Sequence, residues 1–172
     1  MKRRGFLALA LVPALGLSAC GFRLRGSTNL SFSTLYVAGA ETSTFVIDLK
    51  RQIAATSSTR IVPDAKLAQA VFTLLGESQT QTAQAYNADG TVAQYLLRYT
   101  VRFQLATPTG RLLIAPTELS QTSNLSYNSS ATLAKANESD LLYRGMRSEL
   151  INRLMFQLAA VKLNPSNDPE AN

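Results

Sequence analysis

Between Tyr95 and Leu105 every second residue is apolar: Tyr95, Leu97, Tyr99, Val101, Phe103 and Leu105 share one parity. Gln94, Arg98, Thr100, Arg102 and Gln104 take the other, and only Leu96 breaks the pattern. A period of two sends successive side chains to opposite faces of a strand. Such a segment must bury one face, so the chain has to supply a layer that covers a half-apolar sheet. Turn chemistry brackets it, with Asn87-Ala88-Asp89-Gly90 before and Pro108-Thr109-Gly110 after. The predicted strand runs from Thr91 to Ala106, between two further extended segments, Ala70–Ala85 and Arg111–Tyr127. The first begins apolar at Val71, Phe72, Leu74 and Leu75 and becomes SQTQTAQA; the second contains Pro116, which predicts an edge strand or a bulge.

The covering layer is written in helical periodicity. Phe45, Val46, Leu49 and Ile53 fall on one face of a helix predicted over Ser43–Ala55. Thr42 or Ser43 can cap its start, and Lys50 and Arg51 lie toward its C-terminal half. Leu142, Met146, Leu150, Leu154, Leu158 and Val161 form the stripe of a longer helix predicted over Glu138–Leu163. Asn137 is its expected N-cap, and Glu149 and Arg153 its expected i,i+4 ion pair. Thr34–Ala38 is a short first strand, and Arg60-Ile61-Val62 a short extended piece before Pro63. Helices with one apolar stripe and strands with one apolar face predict an α+β fold, a two-layer sandwich.

Composition enters through what it excludes. The chain of 172 residues has no His, no Trp and one Cys. Imidazole-based triads, Cys-His dyads, zinc sites and intrachain disulfides therefore have no residues to build them. The formal charge of +6 includes Lys2, Arg3 and Arg4, which precede the apolar run Phe6–Leu17. That run is too short for a bilayer span of roughly 20 residues, so residues 1–19 read as a secretory signal. Without them the charge surplus is small, too small for a nucleic-acid binder with its dense basic stripe. Cys20 follows Leu17-Ser18-Ala19, where cleavage would fall. This arrangement resembles the bacterial lipobox, whose cysteine is lipidated. Residues 20–32 form the arm that follows, 33–163 a single domain, and 164–172 a polar tail.

No catalytic constellation emerges. Most carboxylates are scattered among helix starts and turns; Glu118, within a strand, could serve as an isolated base, but a solvated charge on the strand face is the favoured reading. Gly-x-Ser-x-Gly elbows and glycine-rich phosphate loops are missing. Ser78–Ala85 and Ser120–Ser130 are rich in Ser, Thr, Gln and Asn and nearly free of charge. They suit either a solvated hairpin end or a surface held against another polar surface, such as a barrel lumen. At the junction Leu133-Ala134-Lys135-Ala136-Asn137-Glu138, capping accounts for Asn137 and Glu138 and leaves Lys135 unexplained.

These residues resemble the lipopolysaccharide-assembly lipoprotein family LptE. The similarity starts at the lipobox and Gly21-Phe22-Arg23-Leu24-Arg25-Gly26. It continues through the first helix, the hairpin ending near Ala93-Gln94-Tyr95, the Leu-Ala-Lys-x-x-Glu junction and the closing helix. The resemblance implies two helices on a mixed four-stranded sheet. It implies no enzymatic activity and no cofactor, but a plug inside the LptD outer-membrane β-barrel that helps deliver lipopolysaccharide to the outer leaflet. Gly21 after Cys20 implies anchoring in the outer membrane. A lysine implicated in lipopolysaccharide binding carries over to Lys135. A second basic position of the family falls at Ala88, so Arg98 and Arg102 become the candidate substitutes. The alternative from a different class is a stand-alone lipoprotein binding cell-wall or lipid ligands.

Overall fold

In the computed structural model, which describes residues 29–163, the alternating segment is the centre of a long antiparallel three-stranded ribbon. The elements run β1 (Thr34–Ala38), α1 (Thr44–Thr56), β2 (Arg60–Ile61), β3 (Ala70–Tyr86), β4 (Val92–Ala106), β5 (Leu112–Ser126) and α2 (Thr132–Ala160). Single 3-10 turns precede β3 and α2. Cys20, the signal residues 1–19, most of the arm and the tail 164–172 lie outside the described residues.

The sheet is mixed, as the family resemblance implies, but it has five strands in the order β2-β1-β3-β4-β5 and not four. The extra strand is the Arg60–Ile61 piece, which pairs parallel with Thr34 and Leu35 of β1. Two residues carry no periodicity, and only the tertiary approach of β1 makes them a strand. Pro116 proves to lie both on an edge and in a bulge: β5 ends the sheet, and its register against β4 shifts between Thr117 and Ile114.

Both helices pack on one face. Leu97, Tyr99, Val101, Phe103 and Leu105 of β4 join Phe45, Leu49 and Ile53 of α1 and Met146, Leu150, Leu154 and Leu158 of α2 in one core. Phe32 is also in that core, 1% exposed, so packing starts within the segment that the sequence assigns to the arm. Burying each such side chain is worth about 1.5–3 kcal/mol. Gly39 sits where α1 crosses the end of β1. A Cβ there would lie 2.8 Å from Val46 Cγ2, so only glycine permits this approach.

Helix α2 starts at Thr132, earlier than the expected Glu138, and ends at Ala160, not Leu163. Ala131 occupies the cap position without a side-chain cap, and Asn137 lies inside the helix. Leu133, Ala134 and Ala136 are strong helix formers, and they extend the helix through the expected cap. The turn preceding it is held by Asn128, whose side chain accepts from Ser130 N at 3.0 Å. Arg153 does not pair with Glu149. Its guanidinium reaches β5, donating to the Ser120 carbonyl at 3.3 Å.

Candidate ligand-binding surfaces

The polar hairpin end and Lys135 occupy the same end of the molecule. Strand β1 pairs with β3 only over Ala70–Thr73, so beyond Leu74 the sheet narrows to β3, β4 and β5. Helix α2 begins over this narrow part. Lys135 lies in its first turn, where a groove of about 280 Å³ is lined by Gln81, Leu125, Tyr127, Lys135, Ser139 and Asp140, among others. Lys135 Nζ donates to Glu138 Oε2 at 2.8 Å, and its side chain is only 20% exposed. Lys135 is thus a helical, ion-paired lysine and not the loop residue that the sequence suggested. A partly exposed pair three residues apart on a helix is worth about 1 kcal/mol or less. An incoming anion can therefore displace Glu138 at small cost.

Arg98 and Arg102 are elsewhere. Their parity on β4 is opposite to that of the buried residues, which puts both on the sheet face that the helices leave open. Arg98 stands between Thr80 of β3 and Thr122 of β5, and Arg102 between Gly76 and Glu118. The structure brings the two arginines onto one strand face but does not bring either to Lys135, which belongs to the helix layer. Glu118 is exposed opposite Arg102.

That open face continues the same chemistry outward. Ser78, Thr100 and Ser120 form one cross-strand row, and Thr80, Arg98 and Thr122 the next. Hydroxyls dominate it, with few formal charges. At the hairpin tip Gly90 takes φ +81°, the left-handed geometry that a tight turn needs. Asp89 accepts from Thr91 N at 3.0 Å and from Thr91 Oγ1 at 2.7 Å. The hydroxyl and the amide of Thr91 together hold its carboxyl below the usual carboxylate range. The tip around Ala88 is consequently acidic, where the family resemblance implied a cation.

Several polar contacts had no sequence signal. Tyr99 donates its phenol to Glu77 Oε1, and Ser43 Oγ donates to Glu77 Oε2 at 2.6 Å. Ser43 also caps α1, accepting from Val46 N at 3.2 Å. Burial first, then the Glu77 carboxylate, raises the Tyr99 phenol far above its ordinary range. Tyr143 donates to the Thr80 carbonyl at 2.9 Å, and Arg147 Nε bridges to Asp48 Oδ2 at 2.8 Å. The Ser43 cap was expected from the sequence, whereas the other contacts join residues distant in the chain and leave no local pattern.

The described residues form an α+β sandwich with one open polar sheet face and grooves lined by polar side chains, the build of a binding module. Residues 32–158 match the LptE family, described as lipopolysaccharide-assembly. The chain belongs to this family of non-enzymatic lipopolysaccharide-assembly lipoproteins. Its fold is similar to that of an uncharacterized lipoprotein B from Nitrosomonas europaea, with 25% identity and a TM-score of 0.71 over 81% of this chain and 91% of that one. The rare lipoprotein B from Shewanella oneidensis aligns with 23% identity and a TM-score of 0.66, over 74% of this chain and 94% of its own. A minor lipoprotein from Acinetobacter baumannii aligns with 22% identity and a TM-score of 0.61, over 79% and 99%.

Proposed function

We propose that this chain is the lipidated partner of the LptD β-barrel, seated in its lumen, and that it binds lipopolysaccharide during delivery to the outer leaflet. Cys20 is the acylated residue and holds the protein at the outer membrane. The observation that carries the plug reading is the open face of β3, β4 and β5, where hydroxyls outnumber the three formal charges of Arg98, Arg102 and Glu118. Hydroxyls can be paired across an interface with a polar lumen, whereas unpaired charges would carry a desolvation cost of several kcal/mol, roughly. A solvated face has no such need to limit charge.

Lipopolysaccharide is polyanionic, and Lys135 offers an ammonium in the first turn of a helix, where free backbone N–H groups also favour anions. Arg98 and Arg102 on the open face are the second candidate contacts; they would meet a different part of the ligand or the barrel wall. The deciding experiment is extraction of outer membranes in mild detergent and purification on an affinity tag placed on this chain. A stoichiometric β-barrel is expected in the eluate. Recovery of the chain alone, with the barrel present in the extract, would sink the plug reading and leave the stand-alone lipid or cell-wall binder.

A further inference from the structure

On the outer side of the helix layer, α1 and α2 enclose a groove of about 260 Å³ that is separate from the groove at Lys135 and from the open sheet face. Asp48, Arg51, Gln52, Arg144, Ser148 and Asn152 line it. Arg51 and Arg147 both pair with Asp48, and Arg144 lines the groove from α2. Asp48 Oδ2 accepts from Arg147 at 2.8 Å, and Asp48 Oδ1 accepts from Arg51 Nη1 at 3.0 Å. Arg144 donates its Nε to the Asp140 carbonyl at 3.3 Å and forms no ion pair among the described residues.

The bridge of Arg147 to Asp48 is the structural part, with side chains 14% and 29% exposed. It joins the two helices, and Asp48, shared with Arg51, offers one negative charge against three arginines. Arg51, 73% exposed, and Arg144 are then surplus cations on facing walls of one groove. Like charges assembled by folding repel one another until an anion neutralises them. The side-chain amides of Gln52 and Asn152 and the Ser148 hydroxyl add neutral donors between them. Two guanidinium forks approaching from opposite walls suit a tetrahedral oxyanion better than a flat carboxylate, because each fork can take its own pair of oxygens.

We propose that this inter-helix groove binds a phosphate group, with Arg51 and Arg144 as its two arms. A soluble phosphate ester and a phospholipid headgroup present the same chemistry, and the experiment separates them. Lys135 takes no part, so failure of the lipopolysaccharide reading and failure of this site are separate results.

Inorganic pyrophosphate is titrated into the purified full chain at constant ionic strength, and the NMR resonances of the Gln52 and Asn152 side-chain amides are followed. Saturable shifts are expected, weakened about tenfold by Arg51→Gln and again by Arg144→Gln, and unaffected by Lys66→Gln. Ser148→Glu keeps every arginine and places a negative charge in the groove; it should weaken binding as much. No saturable shift, or wild-type affinity retained in both Arg144→Gln and Ser148→Glu, overturns the site. Reconstitution in nanodiscs with and without phosphatidic acid supplies the second arm. Arginine-dependent shifts with phosphatidic acid assign a headgroup, and pyrophosphate binding without them assigns a soluble ester.

Discussion

Tyr99 shows how one residue can serve two layers. Its ring is in the core and its hydroxyl ends on Glu77, which also receives the capping serine of α1. Because the folded phenol is raised above its ordinary value near 10, the folded state keeps its proton after the unfolded chain has lost it. The contribution is present in full below pH 10, roughly, and is lost as pH rises from there toward the folded value. Tyr99→Phe should therefore flatten the alkaline arm of the stability curve, measured by denaturant unfolding between neutral pH and about pH 11. An unchanged alkaline slope would show that the phenol does not carry it. At Lys135, replacement by Asp should weaken lipopolysaccharide binding, and the loss should shrink as salt rises. An acidic side chain suits the first turn of a helix, so circular dichroism should report an intact fold. Unchanged affinity at low salt would move the contact to Arg98 and Arg102.

At the scale of elements, α2 does more than cover the sheet. It crosses from the free edge of β3 to the free edge of β5, satisfying one backbone carbonyl at each. Tyr143 takes Thr80 O and Arg153 takes Ser120 O. With Pro116 in β5, these contacts blunt two edges that would otherwise invite strand pairing. The core stripe of the helix supports the crossing: Leu154 is fully buried. Leu154→Ala should cost about 2–5 kcal/mol in chemical unfolding. A change under about 0.5 kcal/mol, typical of surface positions, would contradict the packing described here.

The two ends of the described molecule are built differently. Helix α1, β1 and β2 thicken one end, where Ser31 Oγ donates to the Val161 carbonyl and ties the start of the described chain to the end of α2. The other end is a thin polar ribbon under α2 alone. Such a shape places the thick core beside Ser31 and Val161 and projects the hydroxyl-rich ribbon away from them. The attachment itself is a proposal that Cys20→Ala tests: labelled fatty acid should no longer incorporate, because the chain has no other thiol. Continued incorporation would refute acylation at Cys20.

Strands, helices and the split between buried and open faces were legible from residue order, because periodicity is local. The parity of Tyr95–Leu105 and the stripe from Met146 to Leu158 each lie within one element, and each alone says which side must be buried. Lys135 was legible as a residue in want of a role, while its position inside the helix was not. Helix formers ahead of Asn137 outweighed the capping preference that the sequence displayed. The second strand, the separation of Lys135 from Arg98 and Arg102, the Arg147–Asp48 bridge and the facing of Arg51 and Arg144 across one groove were decided only by tertiary structure. Each depends on where segments far apart in the chain come to lie. A backbone hydrogen bond in a strand of two residues, or a guanidinium facing another helix, has no repeat in the sequence that could announce it.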